Sequence, residues 1–131
     1  MSAHQIAVRI YYEDTDFSGN VYHAAYLKFF ERGRTEFLRD LGVHHSELAK
    51  DGLAFAVRSM SIDYIAAAHI DDLLTVSTTV DRAGGARLVL AQTIHRDETL
   101  LTSASVTVAA IKTAGGAARL PPHLRALLER A

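Results

Sequence analysis

Residues 21–41 read VYHAAYLKFFERGRTEFLRDL. Within them Tyr22, Tyr26, Phe29, Phe30, Gly33, Phe37, Leu38 and Leu41 recur at steps of three and four, the spacing of one buried helical face. Lys28, Glu31, Arg32, Thr35, Glu36, Arg39 and Asp40 fill much of the opposite side, and Gly42 stands where a left-handed helix end is expected. The spacing predicts one long helix over 21–41. Gly33 lies inside the apolar stripe although glycine costs about 1 kcal/mol relative to alanine in a helix. Its place there implies that the helix backbone lies close to something flat, and a sheet is the natural candidate.

The flanking sequence supplies that sheet. IAVRIYY at 6–12 is rich in β-branched and aromatic residues and predicts a strand, and a short helical connection is expected around HHSELAKDG at 44–52. Segments 53–66, 73–82, 87–96 and 99–111 alternate or run apolar and predict four more strands. AGGA at 83–86 can supply the positive φ of a tight hairpin, and RDET at 96–99 suits a second turn. Small residues on the strands, Ala91, Ser103, Ala104, Ser105 and Ala109, are expected to make room for the helix. The tail, GGAARLPPHLRALLERA, predicts a loop and a short surface helix that starts at proline. The expectation is an α+β domain spanning 1–131, with a core over about 6–112 and a loop and helix over 113–131. One helix covers only one face of such a sheet, so self-association is expected.

At 131 residues the chain has the length of one domain. Fourteen Lys and Arg balance fifteen Asp and Glu, which argues against a nucleic-acid or membrane-surface binder. The absence of cysteine excludes disulfides, a thiolate nucleophile and cysteine-based metal or redox sites. No run approaches a membrane span, and the first residues lack the apolar core of a signal peptide, so a soluble, cytoplasmic protein is expected.

The polar residues concentrate just ahead of the helix, in YEDTDFSGNVYH at 12–23. Asp14, Asp16, Ser18 and Gly19 match the first half of a calcium loop, but its twelfth position falls on Ala25, where a carboxylate is required, and the preceding segment reads as strand. A solvated turn, with Asp16 or Asn20 capping the helix, is the plain alternative. The neighbours allow a third reading. Glycine at 19 permits close approach of a ligand, and a helix start offers free N–H groups and the positive end of the dipole. A carboxylate facing those donors could attack a carbonyl, or activate a water to do so, while the donors hold the oxyanion.

EDTDFSGNVYHAAYLKFFERGRTEFLRDLG resembles the N-terminal signature of the hotdog-fold 4-hydroxybenzoyl-CoA thioesterase family, nearest its tol-pal-associated acyl-CoA thioesterase branch. VRSMSIDY and DDLLTV resemble that family's second and third strands, so the likeness covers most of 6–112. The resemblance implies a hotdog fold, in which an antiparallel sheet of about five strands wraps one long helix. It implies homodimers joined edge to edge, often paired into homotetramers, with active sites at the dimer interface. It assigns the catalytic carboxylate to Asp16, with His23 and Tyr12 as its partners, and it puts Ser59 and Met60 beside the pantetheine arm. Phe17, Asn20 and Ala25 depart from the family pattern, as does IAAAHI at 65–70, which lacks an expected proline. These departures bear on acyl preference and on the rim of the pocket.

The remaining polar residues carry weaker signals. His44 and His45 are adjacent, and His4, His69, His95 and His123 lack ligand-like spacing, so no metal is expected. Ser18 has no base spaced to activate it. Arg58, Arg82, Arg87, Arg119 and Arg125 are candidates for CoA phosphates, with Arg58 and Arg87 grouped with Gly19, Ser59 and Met60 as substrate-binding. The expected activity is hydrolysis of acyl-CoA to a carboxylic acid and free CoA, without a cofactor. The alternatives are a non-catalytic acyl-CoA or envelope-machinery binding module and a hotdog hydroxyacyl-thioester dehydratase.

Overall fold

The computed structural model describes residues 3–131. Strand β1 (His4–Arg9) is followed by a single 3-10 turn (Tyr12–Asp14), helix α1 (Ala25–Asp40) and helix α2 (His45–Lys50). Strands β2 (Leu53–Tyr64), β3 (Leu73–Ala83), β4 (Arg87–Arg96) and β5 (Thr99–Lys112) come next, then helix α3 (Pro122–Arg130). The five strands form one antiparallel sheet in the order β1-β3-β4-β5-β2. Strands β1 and β2 are its edges. All five expected strands are present, as are the short α2 and the C-terminal helix.

Helix α1 lies on the sheet along the predicted stripe. Tyr26, Phe29, Phe30, Gly33, Phe37 and Leu38 are buried against Leu74, Val76, Leu88, Leu90, Ile94 and Val106. Gly33 is the point of closest approach: a Cβ there would stand 2.8 Å from Val76 Cγ1, 3.1 Å from Gln92 Nε2 and 3.2 Å from Thr78 Oγ1. Gln92, buried with Thr78, stitches helix to sheet. Its Nε2 donates to the Phe30 carbonyl at 3.0 Å and to Thr78 Oγ1 at 2.9 Å, and its Oε1 accepts from Arg34 at 3.0 Å. Buried polar groups satisfied in this way fix a single seating of one element on another. Gly33→Ala gains helix propensity but forces the helix off the sheet, so a net loss of about 1–3 kcal/mol is expected in chemical denaturation. A neutral or stabilising effect would show that this contact is looser than described.

Four local expectations are corrected. Helix α1 begins at Ala25 rather than Val21, because residues 20 and 21 pair sideways instead: Asn20 bridges His69, and the Val21 N–H donates to the Ala68 carbonyl at 2.8 Å. Neither Asp16 nor Asn20 caps the helix, whose N-cap is Ala24 without a side-chain bond. Of the five small strand residues, only Ala104 lies in the buried core; it sits opposite Gln92, and the room for the helix comes mainly from Gly33. The hairpin at 83–86 forms as expected, but neither of its glycines has positive φ. Gly85 packs beneath Arg119, whose guanidinium lies 2.7 Å from where a Cβ would stand and would have to swing aside for a larger residue. The end of α1 follows expectation: Gly42 has φ +85°, and Val43 donates back to Leu38 at 2.8 Å. Helix α3 starts at proline and sinks Leu124 and Leu128 into the core. Among the described residues no helix is long and apolar enough to cross a membrane.

Candidate active site

The acidic stretch folds as a tight loop between β1 and α1. Thr15 bridges Val21, the Asp16 N–H donates to the Asn20 carbonyl at 2.9 Å, and the Gly19 N–H donates back to the Asp16 carbonyl at 3.1 Å. Gly19 turns this loop with φ +85°, and nothing lies within 4 Å of where its Cβ would be. The Asp16 side chain is tied into the same turn. Its Oδ1 accepts the Ser18 N–H at 2.8 Å and the Ser18 hydroxyl in a short bond. These two donors, the hydroxyl first, hold the Asp16 carboxyl below the usual carboxylate range. It is therefore ionised at neutral pH. The other two acids differ: Asp14 accepts the Tyr11 N–H at 2.9 Å, and Glu13 is exposed.

Asp16 and His23 line one open cleft of about 330 Å³, together with Asn20, Val21, Tyr26, Tyr64 and residues 65–67. His23 packs between two rings, with Tyr22 at 4.6 Å and Tyr64 edge-on at 6.4 Å. Among the described residues the backbone N–H groups of His23 and Ala24 have no acceptor. The wall at 65–67 and the segment that follows it to Asp72 are braced from behind. Arg96 donates to Asp72 at 2.9 Å and to the Ala67 carbonyl at 3.2 Å, and Asp72 also accepts the His69 N–H at 2.9 Å. Burial pushes the Asp72 carboxyl up, but these donors outweigh it and hold the group low. The absence of proline in IAAAHI is used. Ile65 and Ala66 both donate their N–H groups to the Leu101 carbonyl, at 2.8 and 3.1 Å, and a proline at 66 would lose that bond.

The other expected site residues lie elsewhere on the protomer. Tyr12, four-fifths exposed on the 3-10 turn, is not among the residues lining the cleft. Arg58, Ser59 and Met60 sit on the edge strand β2, where the pairing slips between Val57 and Ser59, and Arg87 is exposed at the start of β4. Neither arginine is among the residues lining the Asp16 cleft. A larger groove of about 470 Å³ lies between β1 and α1, but it is lined by Arg9, Arg32 and Glu36 and contains neither Asp16 nor His23. Residues 65–67 lie at the cleft, as the resemblance implied for 65–70, whereas Tyr26 and Tyr64 escaped the sequence reading as cleft residues because nothing local ties the end of β2 to the start of α1. The aromatic character of Tyr64 at a strand end was the one signal available.

Ser18 offers a direct probe of this electrostatic arrangement. Ser18→Ala removes the stronger of the two donors, so the Asp16 carboxyl should titrate at higher pH than in the wild type, measured by the NMR shift of its carboxyl carbon. Folding lowers the pKa of this group, so its contribution to stability is present above the ordinary aspartate pKa and is lost as pH falls through the lowered value. An unchanged titration in the variant would show that the hydroxyl does not hold the carboxylate.

Residues 18–103 match the family model of the thioesterase superfamily. The chain is 49% identical over 105 residues to the acyl-CoA thioesterase YbgC of Haemophilus influenzae, a match that spans 79% of this chain and 77% of that one. It is 44% identical over 105 residues to the acyl-CoA thioester hydrolase YbgC of Escherichia coli, covering 79% and 78% of the two chains. The crystal structure of a probable thioesterase from Bartonella henselae superposes with a TM-score of 0.88 at 47% identity, covering 92% of this chain and all of that one (100%). The matched region contains Asp16's neighbours Ser18 to Tyr22, all of α1 and strands β2 to β4. The chain belongs to the thioesterase superfamily, and its single long helix wrapped by a five-stranded antiparallel sheet is the hotdog fold.

Proposed function

We propose that this protein hydrolyses acyl-CoA thioesters at the Asp16 cleft: water and acyl-CoA yield a carboxylic acid and free CoA. The observation that carries the reading is that the Asp16 carboxylate, its pKa lowered by Ser18, and His23 at the entrance of α1 line one cleft. Its relatives at 44–49% identity, named as acyl-CoA thioesterases, support the same chemistry. Asp16 either attacks the thioester carbonyl, forming an anhydride that water then opens, or takes a proton from the attacking water. Both routes need the ionised carboxylate, whose pKa Ser18 lowers further. The N–H groups of His23 and Ala24 receive the developing oxyanion, the helix dipole adds to their pull, and the His23 imidazole orients the thioester or water. The thiolate of CoA then leaves and is protonated.

The substrate lies against Gly19, whose open side admits it, and reaches Ser59 and Met60 on β2, with Arg58 and Arg87 set for the CoA phosphates. Tyr12 lies outside the cleft of the protomer, and its place in the catalytic group rests on the resemblance alone. Such a path is long for one protomer, which supports a homodimer formed through the free edge of β2, with two dimers able to form a homotetramer. Strand β2 offers twelve residues for that pairing. We place the protein in the cytoplasm, in keeping with its lack of cysteine and its CoA substrate, and an association with cell-envelope machinery follows from the branch it resembles.

The test is release of free thiol from a panel of acyl-CoAs, short, long and aromatic, with calorimetric binding measured in parallel. Thiol release matched by acid formation is the expected result. Binding without release would instead favour the binding-module reading.

A further inference from the structure

Tyr64 ends β2 at the rim of the Asp16 cleft. Its side chain is half exposed, yet its hydroxyl donates to the backbone carbonyl of His23 at 2.9 Å. That carbonyl belongs to the residue before the N-cap Ala24 and so lies outside the helix's own hydrogen bonds. Leu27 donates to the Ala24 carbonyl at 3.2 Å, and the phenol of Tyr64 is the partner of the His23 oxygen. A trans peptide is planar, with its C=O and N–H opposed, so anchoring the His23 oxygen also fixes the direction of the Ala24 N–H. The ring adds a second constraint. It meets the His23 imidazole edge-on at 6.4 Å and the Tyr26 ring at 5.5 Å, and the Tyr26 hydroxyl in turn accepts the Ala68 N–H at 3.1 Å. One side chain from the edge of the sheet thus holds both the backbone and the imidazole at the entrance of α1.

We infer that Tyr64 is a positioning residue for thioester hydrolysis, fixing the Ala24 N–H and the His23 ring in the orientation that the reacting carbonyl requires. This rests on the hydrolytic reading of the Asp16 cleft. Donors aimed at a developing oxyanion act in the transition state, so disorienting them lowers kcat and leaves substrate binding largely alone. Tyr64→Phe keeps the ring contacts and deletes only the hydroxyl. The variant should lose about tenfold in kcat, with KM changed by less than about twofold, the loss expected for one misdirected hydrogen bond. Its melting temperature should stay close to that of the wild type.

A second readout separates positioning from packing. With a bound acyl-CoA analogue carrying a methylene in place of the thioester sulfur, the infrared carbonyl band should shift to lower frequency in the wild type and shift less in Tyr64→Phe. Full kcat and an unchanged band in the variant would overturn the assignment, as would a rise in KM together with a lowered melting temperature. Asp16→Asn run in parallel tells the two ideas apart. If Asp16→Asn is inactive while Tyr64→Phe keeps full rate, only the role of Tyr64 falls. If the wild type releases no thiol, both fall.

Discussion

Phe30→Ala is expected to destabilise the protein by about 3–5 kcal/mol, the range for truncating a large aromatic in a core that cannot collapse around the loss. Phe30 is completely buried, as is its neighbour Phe29. The site is poorly able to relax. Gly33, one turn on, already sits as close to Val76 as the backbones allow, and Gln92 ties the Phe30 carbonyl to Thr78. The helix therefore cannot settle into the cavity without breaking that bridge. Urea denaturation followed by circular dichroism measures the loss. A change below about 1 kcal/mol would mean that the helix is held mainly from its ends rather than along this stripe.

Asp16→Asn is expected to lower kcat by about a thousandfold, within the range of 10²–10⁴ for removal of a general base. The substitution is nearly silent structurally. An asparagine carbonyl still accepts the Ser18 N–H, and the backbone bonds between residue 16 and residues 19 and 20 do not involve the side chain. What is lost is the negative charge that the proposed mechanism uses to attack the carbonyl or to draw a proton from water. In the wild type the lowered pKa keeps that charge in place well into mildly acidic solution. The fall in activity at low pH that belongs to Asp16 accordingly lies below the ordinary aspartate range.

The architecture was legible because both periods are strong. The three-and-four spacing from Tyr22 to Leu41 could only mark a helix with one buried face, and the misfit of Gly33 pointed to the sheet that Val76, Thr78 and Gln92 provide. The helix start was misplaced by four residues since Val21 and Tyr22 continue the apolar spacing. Their backbones are claimed by partners at 68 and 14, far off or outside any helical window. Long-range pairing of this kind leaves no periodic trace.

The cleft was half legible. The residue types of one loop allowed a carboxylate beside a helix entrance, with a solvated turn as the alternative, and the choice of Asp16 with His23 came from the resemblance. Tyr64 and residues 65–67 reach that entrance from the far end of β2, and their role comes from strand order and the bond to the His23 carbonyl. The small residues on the strands misled for a similar reason. Composition cannot say which face of a strand turns inward, and Ser105 and Ala91 turn outward.

The measurement that bears most directly on the central claim compares wild type and Asp16→Asn for thiol release from one acyl-CoA, with both proteins verified as folded and of the same oligomeric state. The account predicts steady release by the wild type, with one equivalent of acid formed per thiol, and a near-complete loss in the variant. Equal rates in the two proteins would contradict it, because hydrolysis would then proceed without the carboxylate on which the whole site is built.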